Sequence, residues 1–180
     1  MVARTWVGAS GAAWTTSSSW SPAAVPTTSD DLTINSSNIT INITSGNARH
    51  VYVNGTNVTF ALGTSVLNVN GDLNVAGSLT TTGTSTGINF TGTAQAANWT
   101  PGPNQYARVT CAKSTQALNI NGTANIEQYA TGTFTYTSGT INQNYPIYTK
   151  FVNNTSATSR TWNMNGNPVV SKRLMKSYRH

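Results

Sequence analysis

From Leu32 to Phe90 short apolar segments recur every six to twelve residues, separated by little besides Asn, Thr, Ser and Gly. They begin at Leu32 (LTI), Ile39 (ITINI), Val51 (VYV), Val58 (VTFAL), Val66 (VLNV), Leu73 (LNV), Leu79 (LTT) and Ile88 (INF). Successive side chains of an extended chain point to opposite faces, so Ile39, Ile41 and Ile43, or Val58, Phe60 and Leu62, share one face. Thr40, Asn42, Thr59 and Ala61 share the other. The pattern predicts short half-buried strands around one core, with Ile41, Phe60, Val69, Leu73 and Phe90 inside it. The seven steps between segments average 8 residues, and three of them make a unit of roughly 24, the scale of a repeat architecture. No window keeps apolar residues at helical spacing for long, and the abundant β-branched residues and Gly are poor helix formers, so helix is largely excluded.

The flanks differ from this rhythm. Residues 1–31 hold Trp6, Trp14 and Trp20 among small residues, then Pro22, Pro26 and the pair Asp30-Asp31. Terminal repeats must close a core that internal repeats leave open, so the three Trp are expected to form an N-terminal cap; the rival reading is an aromatic ligand platform. Residues 32–96 are assigned to solenoid rungs. At ANWTPGPN (97–104) the rhythm breaks on a Pro-Gly-Pro turn, read as a boundary or a long loop. Strand-like segments resume at RVTC, ALNI, ANIEQYA, TFTYT and PIYTKFV, so residues 97–167 either continue the solenoid with insertions or form a small β-sandwich-like module, with continuation preferred. Residues 168–180 are a basic C-terminal tail.

The arrangement TWVG…AAW…SSW…VP…DDLTI, followed by LNVNGDLNVAGSL, resembles the opening and early rungs of right-handed β-helices in bacterial surface proteins and in phage tail and capsid-decoration proteins. The resemblance covers roughly residues 5 to 90, and GTFTYTSGTI further on is similar to another rung. It implies an all-β solenoid and carries no catalytic residues. As phage decorations are often trimeric, it also implies a homo-oligomer, with a trimer as one arrangement.

A chain of 180 residues is long enough to bury a sizeable core and suits one domain. It has 31 Thr, 22 Asn and 15 Gly against four acids and ten Lys plus Arg. That charge-poor composition would suit disorder, but aromatic and β-branched residues are too regularly placed for it. The net charge of +6 is concentrated: Lys150, Arg160, Lys172, Arg173, Lys176 and Arg179 lie in the last 31 residues, which contain no Asp or Glu. Cys111 is the single cysteine, so no internal disulfide forms, and its alternating neighbours suit a small buried strand residue. The N-terminus lacks the apolar stretch of a signal peptide, and no apolar run is long enough to span a membrane, so neither export nor a membrane span is expected. Asn-X-Ser/Thr matches at Asn38, Asn57, Asn89 and Asn121 fall within the chance level of so Asn- and Thr-rich a chain.

Chemistry has little to work with. Glycoside hydrolysis, common on β-helices, ordinarily needs two flanking carboxylates. Adjacent Asp30 and Asp31 would point to opposite faces of a strand. Asp72 sits in an Asn-Gly-Asp turn, where such a side chain normally serves nearby backbone N–H groups. Glu127 falls at an outward position, and His50 has no carboxylate beside it in sequence. No Gly-X-Ser-X-Gly string is present and metal ligands are sparse, so no catalytic, cofactor-binding or metal site is assigned and an enzyme is not expected.

The expected function is therefore that of a structural virion protein, a phage capsid decoration or cement protein assembled in the host cytoplasm. Its termini would grip the major capsid protein or another virion protein through Lys172, Arg173, Leu174, Met175, Lys176, Tyr178 and Arg179. The alternative is a receptor- or glycan-binding module of a tail fibre or adhesin, with the Tyr-rich second half (Tyr106, Tyr129, Tyr136, Tyr145, Tyr148) as a stacking surface. Nucleic-acid binding is disfavoured because the positive charge forms a tail rather than a stripe.

Overall fold

In a computed structural model of the chain, the described residues are 1–83, 87–92, 95–101, 109–122, 124–126, 133–149, 151–154, 160–167 and 169–171. The N-terminal segment contributes β1 (Ala3–Trp6) and β2 (Trp20–Ser21). The first rung is β3 (Asp31–Ile34), β4 (Ile39–Asn42) and β5 (Gly46–Ala48), and the second is β6 (His50–Val53), β7 (Val58–Gly63) and β8 (Val66–Val69). The third is β9 (Leu73–Val75), β10 (Leu79–Gly83) and β11 (Gly87–Phe90). There follow β12 (Ala97–Thr100), β13 (Val109–Ile120), β14 (Ala124–Ile126), β15 (Thr133–Gln143), β16 (Ile147–Thr149), β17 (Phe151–Asn154), β18 (Arg160–Asn163) and β19 (Val169–Ser171).

Every pairing is parallel except β1 with β2, and each strand pairs with its equivalent one turn later, the signature of a β-solenoid of about four turns. Three faces result. One stacks β1, β3, β6, β9 and β12; a second stacks β5, β8 and β11; the third stacks β4, β7 and β10. The long β13 bends across a corner, pairing with β11 through Val109–Cys111 and with β12 through Leu118–Ile120, and so joins the first two faces. β15 repeats that bend on top of it.

Parallel register puts like on like inside. Leu32, Val51, Leu73, Trp99 and Ile120 form one inward column, and Leu67, Ile88 and Val109 another, all fully buried. Ile41 lies under Phe60, and Val69 under Phe90, as the alternation predicts, and all four are fully buried. The turns that join one face to the next within a rung stack as closely as the strands. A Cβ on Gly55 would collide with the backbone of Ser36, and one on Gly77 with the backbone of Gly55, so only glycine stacks there.

Two expectations are corrected. The repeat is less even than the roughly 24 residues counted from sequence, because equivalent positions lie 19, 21, 23 or 26 residues apart. The count had passed over β5, whose sequence GNA offers only Ala48 as an inward apolar side chain. The boundary proposed at Ala97 is also displaced: Ala97–Thr100 is a strand of the ladder, with Ala97 and Trp99 fully buried and Trp99 stacked on Leu73. Parallel pairing then continues through β13, β15 and β18.

The Trp cluster is a cap, and the platform reading is excluded by burial: Trp6, Trp14 and Trp20 are 2%, 0% and 1% exposed. Trp20 meets both neighbours edge to face, at 5.1 Å from Trp6 and 4.9 Å from Trp14, and Trp14 meets Phe60 at 5.9 Å. The same segment covers the open edges of the first rung. β1 pairs with β3, while Gly11 N–H donates to Thr40 O, Trp14 N–H to Asn42 O and Asn42 N–H to Ala12 O. Among the described residues no helix is long and apolar enough to cross a membrane.

Candidate functional site

Outward positions of the solenoid stack as strictly as inward ones, and many are asparagine. Asn89 Nδ2 donates to Asn68 Oδ1 and Asn68 Nδ2 to Asn47 Oδ1, at 3.1 and 3.3 Å. On the next face Asn163 donates to Asn142, Asn142 to Asn119 and Asn119 to Asn98, at 2.8, 2.8 and 3.0 Å. Asn165, Asn144 and Asn121 form a third row. Asn57 donates to Asn38, both in the left-handed conformation that Asn tolerates at turns. In each of these bonds the later residue donates and the earlier accepts, so every row needs an acceptor at its N-terminal end. Asp72 fills that place for the second row, its Oδ1 receiving both the backbone N–H and the Nδ2 of Asn98 at 2.8 Å. The Asn-X-Ser/Thr matches at Asn38, Asn57, Asn89 and Asn121 are thus ladder positions.

The three described carboxylates are each engaged within the fold, one of them unlike its local expectation. Asp30 and Asp31 do diverge. Asp30, 4% exposed, accepts from Val2 N–H, Arg4 Nε, and the N–H and hydroxyl of Thr27. Burial alone would raise its pKa, but the hydrogen bonds from Thr27 and Arg4 outweigh that and hold it below its ordinary value. Asp31 takes a bidentate contact from Arg49, whose Nε lies 2.7 Å from Oδ1, and this contact raises the guanidinium pKa further. Asp72 serves the next rung 26 residues away rather than its own turn. It also lies beside His50: the Asp72 N–H donates to Nδ1 at 2.8 Å, and Oδ2 is 3.4 Å from the same nitrogen. A carboxylate does therefore stand beside His50, brought there by one turn of the solenoid. Tyr52 stacks on the His50 ring at 6.2 Å, and its phenol pKa is raised by burial and by Asp72 and Asp31. Glu127 lies outside the described residues.

Where β6, β9 and β12 begin, the rungs turn a corner that borders a groove of about 500 Å³. Thr28 and Ser29 of the cap, Arg49, Asn70, Gly92 and Gln95 line it, together with Met1. Gln95 Nε2 lies 3.3 Å from His50 Nε2. Next to this corner sits a residue that sequence reasoning passed over: Lys113, fully buried, whose Nζ donates to Asn70 O at 2.7 Å and Thr91 O at 2.8 Å. Burial lowers its pKa. Its alternation with Val109 and Cys111 was the available signal, since a lysine at an inward position must find acceptors. Cys111 is fully buried as expected, and burial pushes its thiol up to about 11.

The proposed docking residues Lys172, Arg173, Leu174, Met175, Lys176, Tyr178 and Arg179 lie outside the described residues. So do Tyr106 and Tyr129 and the side chains of Tyr136 and Tyr148; Tyr145 is 47% exposed. Among the described residues no three His, Cys, Asp or Glu side chains come together as a metal site. No protein-family model, curated protein or solved structure matches the chain.

Proposed function

We propose that this chain is a structural virion protein that decorates and stabilises a phage capsid, with the solenoid held outward and the basic segment from Lys172 to Arg179 docked on an acidic surface of the major capsid protein or another virion protein. The observation that carries this reading is the use of polar groups. Asn side chains run in rows along the solenoid axis, and Asp30, Asp31 and Asp72 bind Arg4, Arg49 and Asn98, so the chain's own stacking takes up the side chains that chemistry would otherwise use. A charge-poor, axially braced body with one capped end suits a load-bearing surface element. Segregation of six of its ten cations in the last 31 residues supplies an attachment point. Homo-oligomerisation, with a trimer as one arrangement, is part of the same proposal.

The test is the copy number of the chain in purified particles by quantitative mass spectrometry. Decoration requires on the order of hundreds of copies per particle, in keeping with a symmetric shell. A tail fitting would carry about six to eighteen copies, set by the lower symmetry of a tail. Absence from particles removes the reading.

A further inference from the structure

The groove at the rung corner is bordered by side chains that hold one another in place yet leave hydrogen-bonding capacity unused. Asp31 grips Arg49 through Nε and Nη2, while Nη1 carries no hydrogen bond among the described residues. His50 holds Nε2 of Gln95, and Gln95 Oε1 carries none. The amide of Asn70 and the hydroxyls of Thr28 and Ser29 are also without partners among the described residues. Asn70 belongs to a braced wall: its carbonyl and that of Thr91 are both held by the buried Lys113 amine. At Gly92 (φ 84°) a Cβ would press to 3.1 Å on the Asn70 side chain, so glycine leaves that amide its room.

Such a wall is preorganised, which reduces the ordering cost that weakens most polar recognition. It offers donors and acceptors side by side instead of donors alone, and its one guanidinium is paired with Asp31. A hydroxyl, donor and acceptor at once, finds both partners. The size is that of an ordinary small-ligand cleft. We propose that this groove is a binding site for a neutral, hydroxyl-rich ligand, a short oligosaccharide, held by Arg49, Asn70, Gln95 and Ser29. The proposal concerns a site remote in sequence from the basic tail and stands whether or not the chain decorates a capsid.

Titrating the full-length ¹⁵N-labelled chain with maltotetraose, cellotetraose and chitotetraose, and with tetragalacturonate as the acidic comparison, tests it. At least one neutral sugar is expected to bind with a Kd of about 1 mM, typical of a shallow polar site. Shifts should centre on Arg49, Asn70 and Gln95. Ser29→Trp, at an exposed cap position, fills the groove and should abolish those shifts with an unchanged melting temperature. Asn70→Ala should weaken binding about tenfold, the equivalent of one good hydrogen bond. No shift with any of the three neutral sugars, equal binding by Ser29→Trp, or tighter binding of tetragalacturonate would each overturn the assignment.

Discussion

Phe60 and Thr59 are neighbours in the chain with opposite fates. Phe60 is fully buried between Ile41 below and the Trp14 ring at the cap, so Phe60→Ala should cost about 3–5 kcal/mol in chemical denaturation. Thr59 faces outward, and Thr59→Ala should cost under about 0.5 kcal/mol. Cys111 and Lys113 sit two residues apart in one strand and pull stability in opposite directions with pH. The Cys111 thiol rises from its ordinary 9.0 to about 11 on folding, so between these values the native chain holds more protons and stability falls as pH rises, by up to about 2–3 kcal/mol. Lys113 has a lowered value, so between it and the ordinary 10.5 the unfolded chain holds more protons and stability rises with pH. Urea unfolding of Cys111→Ala across the alkaline range should therefore steepen the rise, and adding Lys113→Met should flatten it; an unchanged slope in the double variant would place the effect elsewhere. The inward face of these residues was legible from alternation. The two carbonyls that receive Lys113 were not, because Asn70 and Thr91 lie 43 and 22 residues away in the chain.

At the scale of the strand, the Asn rows explain a composition that otherwise reads as low-complexity linker. In the row Asn47–Asn68–Asn89 the next position is Thr110, and the run of amide bonds stops. Asn89 Oδ1 and Thr110 Oγ1 are both buried there without a hydrogen-bond partner among the described residues. Thr110→Asn should continue the row and stabilise the protein by about 1 kcal/mol, read as a higher melting temperature. Asn68→Ala should do the reverse by about 1–3 kcal/mol, because it removes two bonds and strands the partners at Asn47 and Asn89. Strand β5 shows the limit of reading elements from apolar pattern. Its three residues carry almost no hydrophobic signal, and it is a strand because β8 offers it a parallel edge.

For the whole molecule, the cap decides whether the solenoid ends or propagates. Residues 1–25 cover the edges of β3 and β4 and bury Trp14 on Phe60, so their deletion should expose a parallel edge and an apolar end together. The truncated protein should aggregate end to end, as light scattering would detect; a monodisperse product of equal stability would show that the cap is dispensable. Deleting residues 172–180, which lie beyond the last described strand, should leave the melting temperature unchanged and release the protein from particles. Full-length protein should likewise detach at high salt, since exposed charges are screened within about 10 Å at 0.1 M.

The sequence by itself determined the all-β class and the inward residues, because both rest on period-two alternation and composition, and neither depends on which strands meet. Only the tertiary structure decided what lies beside what across a turn. His50 beside Asp72, Arg49 on Asp31, the Asn rows and the groove between cap and corner all join residues from different rungs. Their spacing varies from 18 to 26 residues as turns lengthen and shorten. Register is set by whole strands settling their apolar side chains in one core, and no short window of sequence contains that information.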